Sequence, residues 1–257
     1  MVWLAVIVVA CVAAPLLPLP DPQTGAGEIA GAPGSGQLLG TDQLGRDILS
    51  RLLWGGRTSM LIVVATVGIS MTIGLVLGVA AGYARGWSDW LITGLGDVVL
   101  AFPGLILLIV LTAVFGLSVT NLIIGLSILG TPAFLRIARA HTLTLSQREY
   151  VLAARGSGAG DVRIMMRHIA PGVFGPVAAY GLTYAAVILI AEGALSFLGL
   201  GVPPPTPTWG AMIAGGRPWI DRALHIVLVP SIVLIATVLA LNFLGDERSS
   251  GDQVQRA

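Results

Sequence analysis

The chain has 257 residues, 55% of them hydrophobic and only 11% charged, with a formal net charge of +1. A soluble domain carries about 25% charged residues, so a water-facing surface cannot be built from this composition and lipid must be the main solvent. The near-neutral balance gives no reason to expect nucleic acid as a partner. All fourteen basic residues are arginine, and the single cysteine, Cys11, excludes an intrachain disulfide. Cys11 lies in an apolar run and reads as a small buried hydrophobe. His141, His168 and His225 are scattered without ligand spacing, so no metal site is expected from this chain.

A spanning helix needs about 20 mostly apolar residues. In chain order the sequence predicts six, near 2–19, 59–83, 91–115, 119–135, 173–197 and 224–244. The first has no basic n-region and no A-x-A site, and Pro15, Pro18 and Pro20 follow it. It is expected to be a retained span rather than a signal peptide, with further native residues ahead of it. Pro103, Pro132 and Pro230 are expected to kink their helices.

The outer loops are expected at 20–58 and 198–223. Residues 21–40 are rich in Gly, Pro, Ala and Ser and predict a flexible loop. After it, Thr41 or Asp42 is a candidate turn cap. Ile48, Leu49, Leu52 and Leu53 then form one apolar face, with Asp47 and Arg51 on the polar side. This pattern predicts a short amphipathic helix on the membrane surface, anchored by Trp54. Gly74, Gly78, Gly82 and Gly86 recur every fourth residue, a run of GxxxG that lets another helix backbone come close.

The fourth and fifth spans are separated by a basic loop, 144–172. Six arginines fall between Arg136 and Arg167. Helix formers dominate both ends of this loop, and Gly156-Ser157-Gly158-Ala159-Gly160 interrupts them. The pattern predicts two short helices around a glycine bend, with φ > 0 allowed at the bend. Asp161 is placed to cap the second helix, and Pro171 to end it. Arginine counting puts this loop, and both chain ends, on the cytoplasmic side. Read without a family, the loop is either a docking surface or a solvated basic loop beside anionic lipid.

Near the end, 198–223 carries the stiff run Pro203-Pro204-Pro205-Thr206-Pro207 before Trp209. It is a rigid linker, a surface for an external partner, or a pore cap. Within the fifth span Glu192 is an intramembrane acid, and such an acid is a functional candidate. The competing reading is a buried structural carboxylate. Asp97 is read as a helix N-terminal acid or as a partner contact.

Four stretches taken together resemble one family. They are LGTDQLGRDILSRLLWGGRTS at 39–59, DVVLAFPGLILLI at 97–109, the loop 149–171, and EGALSFLGLGVPPPTPTWGAM at 192–212. This set is similar to the inner-membrane permease subunit of bacterial ABC importers for dipeptides, oligopeptides and nickel, the DppC/OppC type. The family loop runs E-A-A, three residues, Gly, nine residues, I-x-L-P. Here Leu152-Ala153-Ala154 stands in the E-A-A place, Gly158 at the Gly, and His168-Ile169-Ala170-Pro171 at the end. Leu152, His168 and Ala170 depart from the pattern.

The resemblance implies an all-α integral membrane fold of the type I importer class, six spans with a cytoplasmic coupling helix. It implies coupling to an ATPase through Leu152, Ala153, Ala154, Arg155, Gly158, Ala159 and Asp161. Helix packing falls to Gly74, Gly78 and Gly82, and a gate or translocation path to Glu192 and Ser196. Asp42, Arg46 and Asp47 are expected either to fix the outer helix or to touch the binding protein, and Pro204 and Trp209 are candidate contacts with it. The implied partners are a homologous second permease, two ABC ATPases and an extracytoplasmic substrate-binding protein, in the lipid of a bacterial inner membrane. The chain has no G-x-x-x-x-G-K-[ST] phosphate loop, so ATP and magnesium are expected in the partner ATPases and no cofactor here. Peptide is the expected cargo, with nickel, haem or sugar as alternatives. An intramembrane enzyme would need paired acids or a Ser/His set, and Ser196 has no histidine near it in sequence. An ion-coupled carrier would carry more buried ionisable groups.

Overall fold

A computed structural model describes residues 2–254 except Ala26 and Ser35, with side chains as far as Gly245. Among the described residues there are helices and no strand beyond one isolated bridge, Thr41 to Asp47. The helices are α1 (Val2–Ala13), α2 (Ile48–Ala84), α3 (Gly86–Ala101), α4 (Gly104–Phe115) and α5 (Val119–Leu145). They continue with α6 (Glu149–Gly156), α7 (Asp161–Ile164), α8 (Ala170–Phe197), α9 (Trp209–Gly216) and α10 (His225–Val254).

The spans differ from the sequence expectation. Among the described residues four helical stretches are long and apolar enough to cross a membrane: Ile48–Ala84, Val119–Leu145, Asp161–Phe197 and His225–Gly245. The predicted third span, 91–115, is not one rod. It is α3 and α4, bent by 86° between Ala101 and Gly104. Pro103 is the cause: it has no N–H to give and forces its predecessor out of the α region, and Phe102 is extended at φ −85°, ψ 135°. Counting this pair as one span gives five. The predicted first span shrinks to α1, 12 residues followed by a 3-10 turn at Ala14–Leu16. At 1.5 Å per residue α1 covers about 18 Å, less than the roughly 30 Å of hydrocarbon.

The chain divides into two compact units. The first comprises Met1–Val64, Leu111–Leu122 and Ala185–Leu244. In it the expected surface helix at 48–53 is instead the first turn of α2, with Ile48, Leu52 and Leu53 buried. Asp47 starts it, taking the Ser50 N–H on Oδ1 at 2.7 Å, as a capping aspartate does. The segment before it is irregular but tied down. Ala30 N–H bonds Asp42 O, Thr41 N–H bonds Gly31 O and Gly27 N–H bonds Gly45 O, each near 3 Å. Trp209 is the centre of this unit, fully buried. Its indole Nε1 donates to Leu52 O at 2.9 Å and its backbone N–H to Ser59 Oγ at 3.1 Å. Gly56 makes room for it: a Cβ there would stand 2.7 Å from the indole ring.

The second unit comprises Ala65–Val110, Ile123–Tyr184 and Gly245–Ala257. Its core is Val79, Phe134, Ala138, Val151, Ile164, Ile169, Val173 and Val177. Phe134 packs edge-to-face with Tyr180 and Tyr184, with ring centres 5.1 and 5.3 Å away. Pro171 does not end the second loop helix. Residues Met165–Ile169 form a wide π turn whose last bond runs from Ala170 N–H to Met165 O, and Pro171 follows where the register has already shifted. Asp161–Phe197 is thus a single helical stretch of 37 residues.

Candidate functional site

The loop that follows α5 is built on one buried face. Within α6, Val151 is buried and Ala154 packs against the same core, the i, i+3 spacing of one helix side. Leu152, Ala153 and Arg155 therefore point outward. Leu152 is 52% exposed, and Met166 beyond the turn is 72% exposed. Tyr150 and Val162 are also exposed, so apolar side chains stand among Arg148, Arg155, Arg163 and Arg167. Glu149 in the first turn and Arg155 in the last both suit the helix dipole.

The glycine bend has a definite form. Gly158 has φ +82°. Its N–H bonds Arg155 O at 3.0 Å, and Ala159 N–H bonds Ala154 O at 3.1 Å. These paired bonds around a left-handed residue make a Schellman motif. A Cβ on Gly158 would meet nothing within 4 Å, so glycine is there for its backbone angle and not for space. Asp161 does not cap α7 through its side chain; Gly160 holds the cap position. Asp161 Oδ1 instead accepts the Tyr83 hydroxyl at 2.6 Å. The Arg155 guanidinium lies 5.2 Å above the same tyrosine ring. Tyr83 thus ties the end of α2 to both sides of the bend. Its sequence signal was only an aromatic residue at a span end, where such residues gather.

Behind the loop, Gly74, Gly78 and Gly82 lie against α5. A Cβ at Gly74 would stand 2.5 Å from Phe134 Cβ, at Gly78 2.6 Å from Ala138 Cβ, and at Gly82 2.8 Å from Thr142 Cβ. The stripe stops there. Gly86 lies past the end of α2 at φ +64° with open space around it. Arg136 and Arg139, expected beyond the end of the fourth span, belong to α5 and pair with α3. Arg139 bonds both oxygens of Asp89, at 2.5 and 2.6 Å. Arg136 bonds Asp97 at 2.7 Å. Asp97 is accordingly well inside α3 and not at a helix N-terminus; Asp89 is the first-turn acid.

In the first unit Glu192 is fully buried. Its Oε1 accepts the Thr208 hydroxyl at 2.7 Å and the Ser196 hydroxyl at 3.0 Å. Oε2 has no partner of hydrogen-bonding geometry, although the Gly210 backbone and Ser59 lie against the carboxylate. Thr208 also caps α9, accepting Ala211 N–H at 3.0 Å. Glu192 and Ser196 are therefore brought together, as an anchor that fixes the start of α9 to α8.

Asp42, Arg46 and Asp47 fix the outer segment, one of the two roles expected of them. Asp42, Arg46, Asp47 and Trp209 are buried within the chain, and only Pro204 is exposed. Asp42 takes the Leu44 and Arg46 N–H groups on Oδ1 at 2.8 and 3.0 Å. Its Oδ2 meets Arg46 at 2.7 Å and Arg51 at 3.1 Å. Arg51 also donates to Pro22 O at 2.8 Å. A carboxylate and two guanidiniums in this setting hold the loop in place; breaking such a buried set is costly.

Residues 74–246, from the first glycine of the stripe onward, match the family described as binding-protein-dependent transport system inner membrane component. The chain belongs to this family. It is 42% identical over 214 residues to the glutathione transport system permease protein GsiD of Pectobacterium atrosepticum, covering 83% of this chain and 71% of that protein. It is 43% identical over 210 residues to the di/tripeptide transport system permease protein DppC of Pseudomonas aeruginosa, covering 81% and 69%. A GsiD of Escherichia coli O157:H7 is 42% identical over 207 residues, covering 80% and 68%. As a family member the chain is a multi-pass permease subunit of an ABC transporter and not an enzyme; ATP hydrolysis belongs to separate subunits.

Proposed function

We propose that this permease carries di- and oligopeptides inward across a bacterial inner membrane, together with a second, homologous permease. An external binding protein delivers the cargo and two cytoplasmic ATPases drive the cycle. Peptide cargo is supported by the relatives, whose names specify glutathione, itself a tripeptide, and di- and tripeptides. The observation that carries the coupling role is the outward face of α6. Leu152 and Ala153 stand clear of the chain while Val151 and Ala154 fasten the helix to a packed core, and Arg155 is exposed beside Tyr83.

In this reading α6 is the coupling helix and seats in a groove of an ATPase. The apolar side chains supply contact area, and Arg148, Arg155 and Arg163 pair with acids around the rim. ATP binding closes the ATPase pair and moves both permeases between two states, a shift driven by unequal binding to each. The arginines of 148–167 support a cytoplasmic side for this loop through the positive-inside bias. Both chain ends lie on that side too if α1 crosses with the five longer elements. Glu192 serves the path by holding α9 in place, not by touching cargo.

Leu152→Asp and Ala153→Glu test the assignment. Both positions are exposed, so the permease should still insert and fold. The ATPase should no longer co-purify, and uptake of labelled dipeptide by a deletion strain should fall to background. An ATPase that stays bound to both variants would sink the docking role. Peptide uptake unchanged by deleting the wild-type chain would sink the cargo.

A further inference from the structure

The first unit holds a cavity of about 730 Å³ beside the start of α2. Trp54, Arg57 and Leu61 of α2 line it together with Leu17 and Asp21. The Arg57 guanidinium carbon sits 5.6 Å from the centre of the Trp54 ring, held by the attraction of a cation to an aromatic face. Among the described residues Arg57 has no acidic partner. Asp21 gives one oxygen, Oδ1, to the Gln23 N–H at 2.8 Å, and the other is open to the exposed surface. One cavity therefore presents an unpaired cation and an available anion.

Its depth decides what can fill it. From Arg57 to Ala84, where α2 ends, the helix rises about 40 Å at 1.5 Å per residue. A bilayer with both headgroup layers is about 40–45 Å thick. With Ala84 and Arg85 at one water boundary, Arg57 lies in the headgroup layer of the other. Trp54 is then in the belt where tryptophan gathers. Leu61 and Val64, 57% and 71% exposed, face the acyl chains beneath.

We propose that this cavity is a binding site for the zwitterionic headgroup of an aminophospholipid. The phosphate sits on Arg57, whose planar fork matches it. The ammonium sits on Asp21, and the chains run down over Leu61 and Val64. Asp21 disfavours a purely anionic lipid, and a trimethylated ammonium has no proton to give it. The site is separate from α6 and does not rest on the transport reading.

Native mass spectrometry of the full chain, purified with its co-purifying subunits from nanodiscs, tests the site. With phosphatidylethanolamine present, the wild type should keep one such lipid per chain through delipidation. Retention should drop about tenfold in Arg57→Gln and in Asp21→Asn, the size expected for one charge-assisted contact. Both positions are exposed, and the same discs without protein changes give a second arm. Wild type in phosphatidylcholine or phosphatidylglycerol discs should keep no lipid. Equal retention of either lipid overturns the proposal, as does retention unaffected by both substitutions. Displacement of the lipid by a free dipeptide also overturns it, because the cavity would then serve a solute zwitterion.

Discussion

Two regions of the second unit depend on glycine for opposite reasons. In the stripe Gly74, Gly78 and Gly82, the residue is needed because a neighbouring helix occupies the place of its Cβ. In the bend at Gly158, the space is empty and the residue is needed for φ +82°. The first region is intolerant of volume, the second of handedness. A substitution series therefore separates packing from backbone conformation within one compact unit.

The largest effect is expected in the stripe. Gly78→Leu must push Ala138 Cβ and Leu135 O away from 2.6 Å, and overpacking of that kind costs about 1–3 kcal/mol or more. The permease should be lost from the folded peak in fluorescence-detected size exclusion. Normal yield would mean that the seam yields and the comparison fails. Next comes a polar contrast from the first unit, Glu192→Leu. It leaves the buried Thr208 hydroxyl without its acceptor, at about 1–3 kcal/mol, and the part-buried Ser196 hydroxyl without one at a smaller cost. The melting temperature in detergent should drop clearly, while Glu192→Gln, which keeps an acceptor, should recover most of it.

At the bend the loss should be smaller and should follow handedness. Gly158→Val puts a branched side chain in the left-handed region, costing about 1–2 kcal/mol. Gly158→Asn, which tolerates that region, should cost less despite its larger side chain. If the two are equally harmful, volume and not backbone angle matters there. The smallest change is Tyr83→Phe. It removes one hydrogen bond to Asp161, worth about 0.5–1.5 kcal/mol, and should show mainly as faster amide exchange in 155–161.

Much of this was legible in the chain. Glycines at every fourth residue announced a close helix seam, and the alanine pair with Gly158 announced the loop. What the sequence hid was mostly pairing at long range. Nothing near Arg136 or Arg139 signals that Asp97 and Asp89 lie opposite them on another helix. Charges at 42–51 looked like a polar face because i, i+4 spacing does not say whether the face is covered; here it is buried. A proline inside an apolar run predicts a kink, but the effect of Pro103 on Phe102 makes it an 86° break. Pro171 predicts a stop, and the π turn before it removes the need to stop.

The clasp made by Tyr83 has a mechanical consequence. It joins α6 to the end of α2, and the glycine seam joins α2 to α5. Because the seam interlocks every fourth residue, sliding would have to occur in steps of about 6 Å, each lifting the backbones apart. A small displacement of α6 would therefore find little slack to disappear into. It would be expected to turn the packed parts of α2 and α5 together, like a gear train without backlash.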